Sequence, residues 1–273
     1  MTERSALGAQ VAGIVGGGSM GGAIARGLVE SGSLAAERVL VADHGQEHRR
    51  ALAELGIRTF PDEGELLAEE PGVVVLAVKP QVLPQVMASV APSCAGRLVI
   101  SIAAGVPLSA LEAALPGARL VRAMPNLPVQ VRSGATVLAT GPTATPADVE
   151  LARELFLALG AASVMREDQL DVAGAAVGCA PAFFALFVDA LTRAGLRAGL
   201  PAAGCRELVE TTMRGCAEQL LDEGVHPRAY LERVTSPGGT TAAALFALEP
   251  ALVEGSYAAV DAALARTREL AGA

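Results

Sequence analysis

The chain has 273 residues, 52% of them hydrophobic and 3% aromatic, and a formal net charge of -8. That length and apolar content support one large domain or two unequal ones with a substantial core. The acidic balance, without a basic stripe or interleaved aromatics, argues against a nucleic-acid partner, and Cys94, Cys179, Cys205 and Cys216 lie too far apart for a zinc site or disulfide frame, so reduced thiols in a cytoplasmic protein are expected.

The opening Met1-Thr2-Glu3-Arg4 lacks the basic flank and apolar core of a secretory leader. The first predicted element is an apolar strand, Val11 to Val15, which runs into Gly16-Gly17-Gly18-Ser19-Met20-Gly21 and then a helix-compatible segment, Ala23 to Val29. Gly16, Gly18 and Gly21 have the spacing Gly-x-Gly-x-x-Gly. In a dinucleotide-binding turn the first glycine permits the tight bend out of the strand, the second lets backbone approach a pyrophosphate, and the third lets the helix pack closely on the strand. The helix N-terminus then offers free N–H groups to the phosphates. A ligand-free strand-to-helix turn is the plainer alternative, and the flanking strand and helix favour the dinucleotide.

A second strand, Val39 to Ala42, ends at Asp43, 22 residues beyond Gly21, a position from which an acid can take the ribose hydroxyls. Asp43 favours NADH, yet His44, His48, Arg49 and Arg50 follow, and arginine can hold the 2′-phosphate of NADPH. The same charges also read as a solvated helix start, so both cofactors stand. Gln46 to Leu55 and Glu63 to Glu69 read as exposed helices. Further strands are predicted at Val73–Ala77, Arg97–Ser101, Ala118–Val121, Gly134–Leu138 and Ala162–Met165, near-continuous apolar runs of the kind buried on both faces of a parallel sheet. Thr145, Pro146 and Asp148 predict a capped helix that runs to about Ala158 and is stopped by Gly160.

In such a sheet ligands gather beyond the carboxyl ends of the strands. That singles out Ala77-Val78-Lys79-Pro80, the small residues Ser101 to Gly105, and Asn126 in a stiff loop between Pro125 and Pro128. Lys79 is the sole lysine among 21 cations. A solvated surface lysine, and an asparagine that satisfies loop backbone, are the plainer readings of Lys79 and Asn126.

After Met165 no strand is predicted. Helices are expected at Gln169–Ala198 with Pro181 inside, Ala202–Leu221, Pro227–Val234, Thr241–Leu248 and Pro250–Leu270. This divides the chain into a dinucleotide-binding domain, residues 1–165, and an all-helical domain, residues 166–273. The uncharged run Val172 to Val188 is 17 residues and contains Pro181, short of the roughly 20 strongly apolar residues of a membrane span. It predicts a helix buried in the protein or between subunits, hence dimerisation through these helices and no membrane partner. In Ser236-Pro237-Gly238-Gly239-Thr240-Thr241, consecutive N–H groups and a hydroxyl can receive a carboxylate; an ordinary N-cap turn reads the same way. No acid, histidine and nucleophile set forms around His226, the sole histidine of this half, so hydride transfer to an activated acceptor fits best.

Together these motifs resemble the pyrroline-5-carboxylate reductase family, from Gly13 to about Leu248: the glycine turn with Met20, Ala77-Val78-Lys79-Pro80-Gln81, Ser101 to Gly105, Met124-Pro125-Asn126, and Ser236 to Thr241. Their order and spacing carry the match. The resemblance implies a Rossmann domain with a doubly wound, mostly parallel sheet, followed by an all-α dimerisation domain, with dimers often assembled into larger rings. It implies reduction of 1-pyrroline-5-carboxylate to proline by NADPH or NADH, the last step of proline synthesis. It also implies Gly16, Gly18, Ser19, Met20, Gly21, Asp43, His44, Ala77, Val78, Lys79, Pro80 and Asn126 as cofactor-binding residues, Gly239 and Thr240 as the substrate-carboxylate site, and Thr241 as the catalytic hydroxyl on the ring nitrogen.

This chain departs from the family pattern at Val177-Gly178-Cys179-Ala180-Pro181-Ala182-Phe183, which lacks two hydroxyls and a phenol, at Leu127, where the family has threonine, and at Asp43-His44, where it has small polar residues. Two other readings therefore stand beside the first: a reductase of a different small cyclic imine, and a non-catalytic NAD(P)-binding sensor. A β-hydroxyacid dehydrogenase is disfavoured because no lysine follows Lys79.

Overall fold

The computed structural model describes residues 6–271, so the leader reading at Met1 to Arg4 lies outside the described residues. Among the described residues, eight strands form one sheet: β1 (Ala12–Val15), β2 (Val39–Ala42), β3 (Arg58–Phe60), β4 (Val73–Leu76), β5 (Leu98–Ser101), β6 (Arg119–Pro125), β7 (Gly134–Thr140) and β8 (Gly160–Val164). Their order is β3-β2-β1-β4-β5-β6-β7-β8, and every pair is parallel except β6 with β7. Alternate residues of each strand feed opposite cores. Ile14, Val41, Val75 and Ile100 pack with Ile24 and Leu28 of α1 (Ser19–Glu30) and with Leu155 and Phe156 of α6 (Pro146–Leu157). Val15, Leu40, Val74 and Val99 pack on the other face with α3 (Glu63–Ala68), α4 (Leu83–Cys94) and α5 (Leu108–Ala114). Both faces are therefore covered, which explains the unbroken apolar runs.

The remaining helices are α2 (Gln46–Ala53), α7 (Glu167–Ala173), α8 (Ala180–Arg197), α9 (Ala202–Glu223), α10 (Pro227–Arg233) and α11 (Thr240–Ala271). Compactness divides the chain into a sheet unit, up to Cys179 together with the residues from Leu264 onward, and a helical unit, Ala180–Ala263. The predicted boundary at residue 165 precedes α7, which stays with the sheet unit: Leu170 is buried, and Arg122 of β6 donates to Asp171 at 2.7 Å and to Glu167 at 3.4 Å.

Several expectations change. The helices at Gln46 and Glu63 are not wholly exposed, because Leu52, Leu66 and Leu67 are buried. The long helix expected from Gln169 is interrupted by a π turn at Gly174–Gly178, where the Cys179 N–H donates to the Gly174 carbonyl at 3.1 Å. Pro181 falls in the first turn of α8, where its missing N–H breaks no helical bond. The break expected before Pro250 does not occur, and α11 continues through it. The carbonyl left without a donor belongs to Phe246, whose side chain is exposed, so water can satisfy it. By length and composition Glu167–Arg197, which extends past the uncharged run considered above, and Thr240–Glu269 could each cross a membrane.

Candidate functional site

The register places the ends of β1, β2 and β4 level, with Val15 opposite Ala42 and Leu76. The chain leaves β1 between its neighbours: the Gly16 N–H donates to Ala42 O, and the Ala77 N–H to Val15 O, both at 2.8 Å. Gly16 turns with φ +104°, and a Cβ there would meet the Ala77 carbonyl at 2.7 Å. A Cβ on Gly21 would drive into the Gly16 carbonyl oxygen, so α1 packs against the turn at a distance only glycine allows. Nothing lies within 4 Å of a Cβ on Gly18. Gly18 is also the N-cap of α1 and supplies no capping side chain to the first N–H groups of the helix. Gly16 and Gly21 thus make the tight bend and the close helix packing their spacing predicts, and Gly18 leaves space beside the turn. Ser19 is exposed and its hydroxyl accepts from Gln130 Nε2 at 3.2 Å, while Met20 leans on the core.

Asp43 does more than end β2. One carboxylate oxygen accepts from the Gly17 N–H at 2.7 Å, and the other from the Gly45 N–H at 2.7 Å, with His48 Nδ1 3.1 Å away. It therefore ties the glycine turn to the end of β2, and the oxygen that holds the Gly17 N–H keeps a lone pair for a further donor. Arg49 donates to the Asp43 and His44 carbonyls at 2.6 and 3.1 Å. A cleft runs from Gly16 past Asp43 and His44 to Asp62, Glu63 and Val78. Asp62 and Glu63 escaped the sequence reading because β3 is only three residues long. The usable signal was Asp62 itself, which caps α3 by accepting from the Glu65 N–H at 2.9 Å.

Ala77 and Val78 are half-buried on the same rim, followed by exposed Lys79, whose side chain makes none of the described hydrogen bonds or ion pairs, and half-buried Pro80. Asn126 is buried and committed: its Oδ1 accepts from the Ala135 N–H at 2.8 Å and its Nδ2 donates to the Val177 carbonyl at 3.3 Å. It fastens the loop after β6 to the π turn. In the helical unit, Gly238 takes φ +68° and the Gly239 N–H donates to Ser236 O at 3.0 Å, a turn that opens directly into α11. Gly239 and Thr241 are half-buried and Thr240 is exposed, so the first N–H groups of α11 and a hydroxyl share one turn.

An uncapped helix start, a turn that admits no side chain at Gly16 and Gly21, and open space at Gly18 fit a pyrophosphate. The fold and this rim define an oxidoreductase that uses a nicotinamide dinucleotide.

Residues 11–105 match the family model described as NADP oxidoreductase, coenzyme F420-dependent, and residues 167–270 match that of pyrroline-5-carboxylate reductase dimerisation. The chain is 38% identical over 264 residues to the pyrroline-5-carboxylate reductase of Synechocystis sp., which spans 94% of this chain and 97% of that protein. Among solved structures it is similar to a pyrroline-5-carboxylate reductase from Coxiella burnetii, with a TM-score of 0.90, 33% identity, and coverage of 96% of this chain and 98% of that one. It is also similar to the pyrroline carboxylate reductase of Plasmodium falciparum with NADP bound, with a TM-score of 0.85, 25% identity, and coverage of 97% and 99%. This chain belongs to the pyrroline-5-carboxylate reductase family.

Proposed function

We propose that the chain reduces 1-pyrroline-5-carboxylate to proline with NAD(P)H, the last step of proline biosynthesis, in the cytoplasm and as a homodimer. The observation that carries this reading is the likeness to pyrroline-5-carboxylate reductases over nearly the whole chain, which takes in both the glycine turn and the Ser236–Thr241 turn. Bound NAD(P)H supplies a hydride to the C5 carbon of the cyclic imine. Residues 1–165 hold the cofactor: Gly16, Gly18, Ser19, Met20 and Gly21 at the pyrophosphate, Asp43 and His44 at the adenosine ribose, and Ala77, Val78, Lys79 and Pro80 toward the nicotinamide. Asn126, its amide committed to backbone, acts as a positioning residue for that end. Residues 166–273 hold the substrate and the partner subunit. The N–H groups of Gly239 and Thr240 take the carboxylate, and the Thr241 hydroxyl hydrogen-bonds the ring nitrogen.

The dimer is supported by the apolar surface of the helical unit, where Phe184, Leu186, Phe246 and Leu252 are exposed. A second copy of the chain, rather than a membrane, is the cover we assign to them, and the family likeness supports further association of dimers into a ring.

The test is loss of reduced-nicotinamide absorbance with 1-pyrroline-5-carboxylate and with other cyclic imines. Turnover of the five-membered substrate is expected. Turnover only of another imine would transfer the assignment to the second reading, which the apolar Val177 to Phe183 segment favours. Thr241→Ala should lower kcat about 100-fold with cofactor affinity unchanged; loss of cofactor binding instead would show the hydroxyl to be misplaced.

A further inference from the structure

The cleft beyond β2 carries a charge pattern that bears on which nicotinamide cofactor is used. Asp43, Asp62 and Glu63 all line it, so three carboxylates from two successive strand ends face the space next to the glycine turn. The cations of the same stretch are engaged elsewhere. Arg49 donates to the carbonyls of Asp43 and His44. Arg50 pairs with Glu54 at 3.6 Å, one turn further along α2. His48 sits on Asp43 at 3.1 Å. Among the described residues, His44 is the one remaining basic side chain on the wall of the cleft.

In a sheet of this order the adenosine ribose lies beyond the carboxyl end of β2. There NADPH brings a 2′-phosphate, a phosphate monoester with close to two negative charges near neutral pH. NADH brings a hydroxyl, which donates to a carboxylate. The Asp43 oxygen that holds the Gly17 N–H keeps a lone pair and is suited to that hydroxyl.

We propose that this cleft selects NADH over NADPH, with Asp43 accepting from the ribose hydroxyl and Asp62 and Glu63 excluding the phosphate. The inference rests on the cofactor-binding reading above. It places this chain apart from the Plasmodium falciparum relative, whose structure has NADP bound.

The experiment is equilibrium titration of the full-length protein with NADH and with NADPH, followed by nucleotide fluorescence in the absence of imine. NADH should bind about tenfold or more tightly, and the gap should narrow as salt is raised because part of the repulsion is screened. Asp62→Asn combined with Glu63→Gln removes two charges, and the asparagine can still cap α3. It should shrink the NADH to NADPH ratio severalfold, mainly through tighter NADPH. Equal affinities, or tighter NADPH, in the native protein would overturn the proposal and give the phosphate to Arg49. A ratio unmoved by the double substitution would overturn the role of Asp62 and Glu63. Binding of neither nucleotide would instead overturn the dinucleotide site itself, and this inference with it.

Discussion

In β1, β2, β4 and β5 every residue is buried, whereas in α8 and α11 none of the described side chains is. Both regions are apolar, so hydrophobicity alone does not separate them. The strands bury their side chains within the chain, against helices on both faces. The helices leave Phe184 60%, Leu186 63% and Phe246 86% exposed. Each such side chain, once covered, contributes on the order of 2 kcal/mol, so the helical unit gains from association what the sheet unit gains from its own fold. The proposed cofactor turn therefore sits in a region stabilised within one chain, and the proposed substrate turn in a region that gains from a second copy. Binding of nucleotide and assembly of subunits should be separable by mutation.

Gly21→Val has the largest expected effect. The added side chain would collide with the Gly16 carbonyl oxygen and with Ala77, and overpacking against backbone cannot be relieved by a rotamer change. Nucleotide affinity should fall at least about 100-fold, while sedimentation shows the oligomer intact. Retained binding would mean that the turn is not the pyrophosphate site. Leu186→Glu is the converse. It places a charge in an apolar groove formed by Phe183, Leu186 and Phe187 of α8 with Ala251 and Leu252 of α11. If a second copy covers this groove, each dimer carries two such charges, and a burial penalty of a few kcal/mol apiece should produce concentration-dependent dissociation in light scattering. An unchanged oligomer with unchanged thermal stability would show that the groove faces solvent.

What was legible in the sequence follows the same division. The glycine turn could be read because two of its positions are under a hard steric constraint: only glycine tolerates the approach at Gly16 and Gly21. The strands buried on both faces announced themselves as apolar runs. β3 did not, because it is three residues long, pairs only with β2 and includes exposed Arg58; with it went Asp62 and Glu63, on which cofactor choice is proposed to turn. The tie between Asp43 and the Gly17 N–H spans 26 residues and leaves no local trace. The same holds for Asn126, whose two partners, Ala135 and Val177, come from separate segments. Pro250 misled in the other direction, since proline in an exposed helix removes one hydrogen bond without ending the helix.

The smallest predicted effect sharpens the contrast between intrachain and intersubunit stability. Thr145 caps α6, and its N–H and hydroxyl both donate to Asp148 Oδ2, at 2.9 and 2.6 Å, while Arg119 Nε donates to Oδ1 at 3.0 Å. Burial pushes the Asp148 carboxyl up, but the Thr145 hydrogen bonds and then Arg119 outweigh it and hold the group below the ordinary aspartate range. A depressed folded value means that this stabilisation is fully present above the unfolded pKa, about 3.9, and is lost as pH falls through the folded one. Thr145→Ala should cost about 1 kcal/mol at neutral pH, and the difference from the native protein should shrink as the solution is taken below about pH 4, because a protonated Asp148 no longer distinguishes the two chains. Unlike the Leu186→Glu effect, the loss should not depend on protein concentration in thermal melts. A difference that is constant with pH would remove Asp148 from the explanation. One that grew on dilution would mean that α6 contributes to the subunit interface, and the division between the two regions would have to be redrawn.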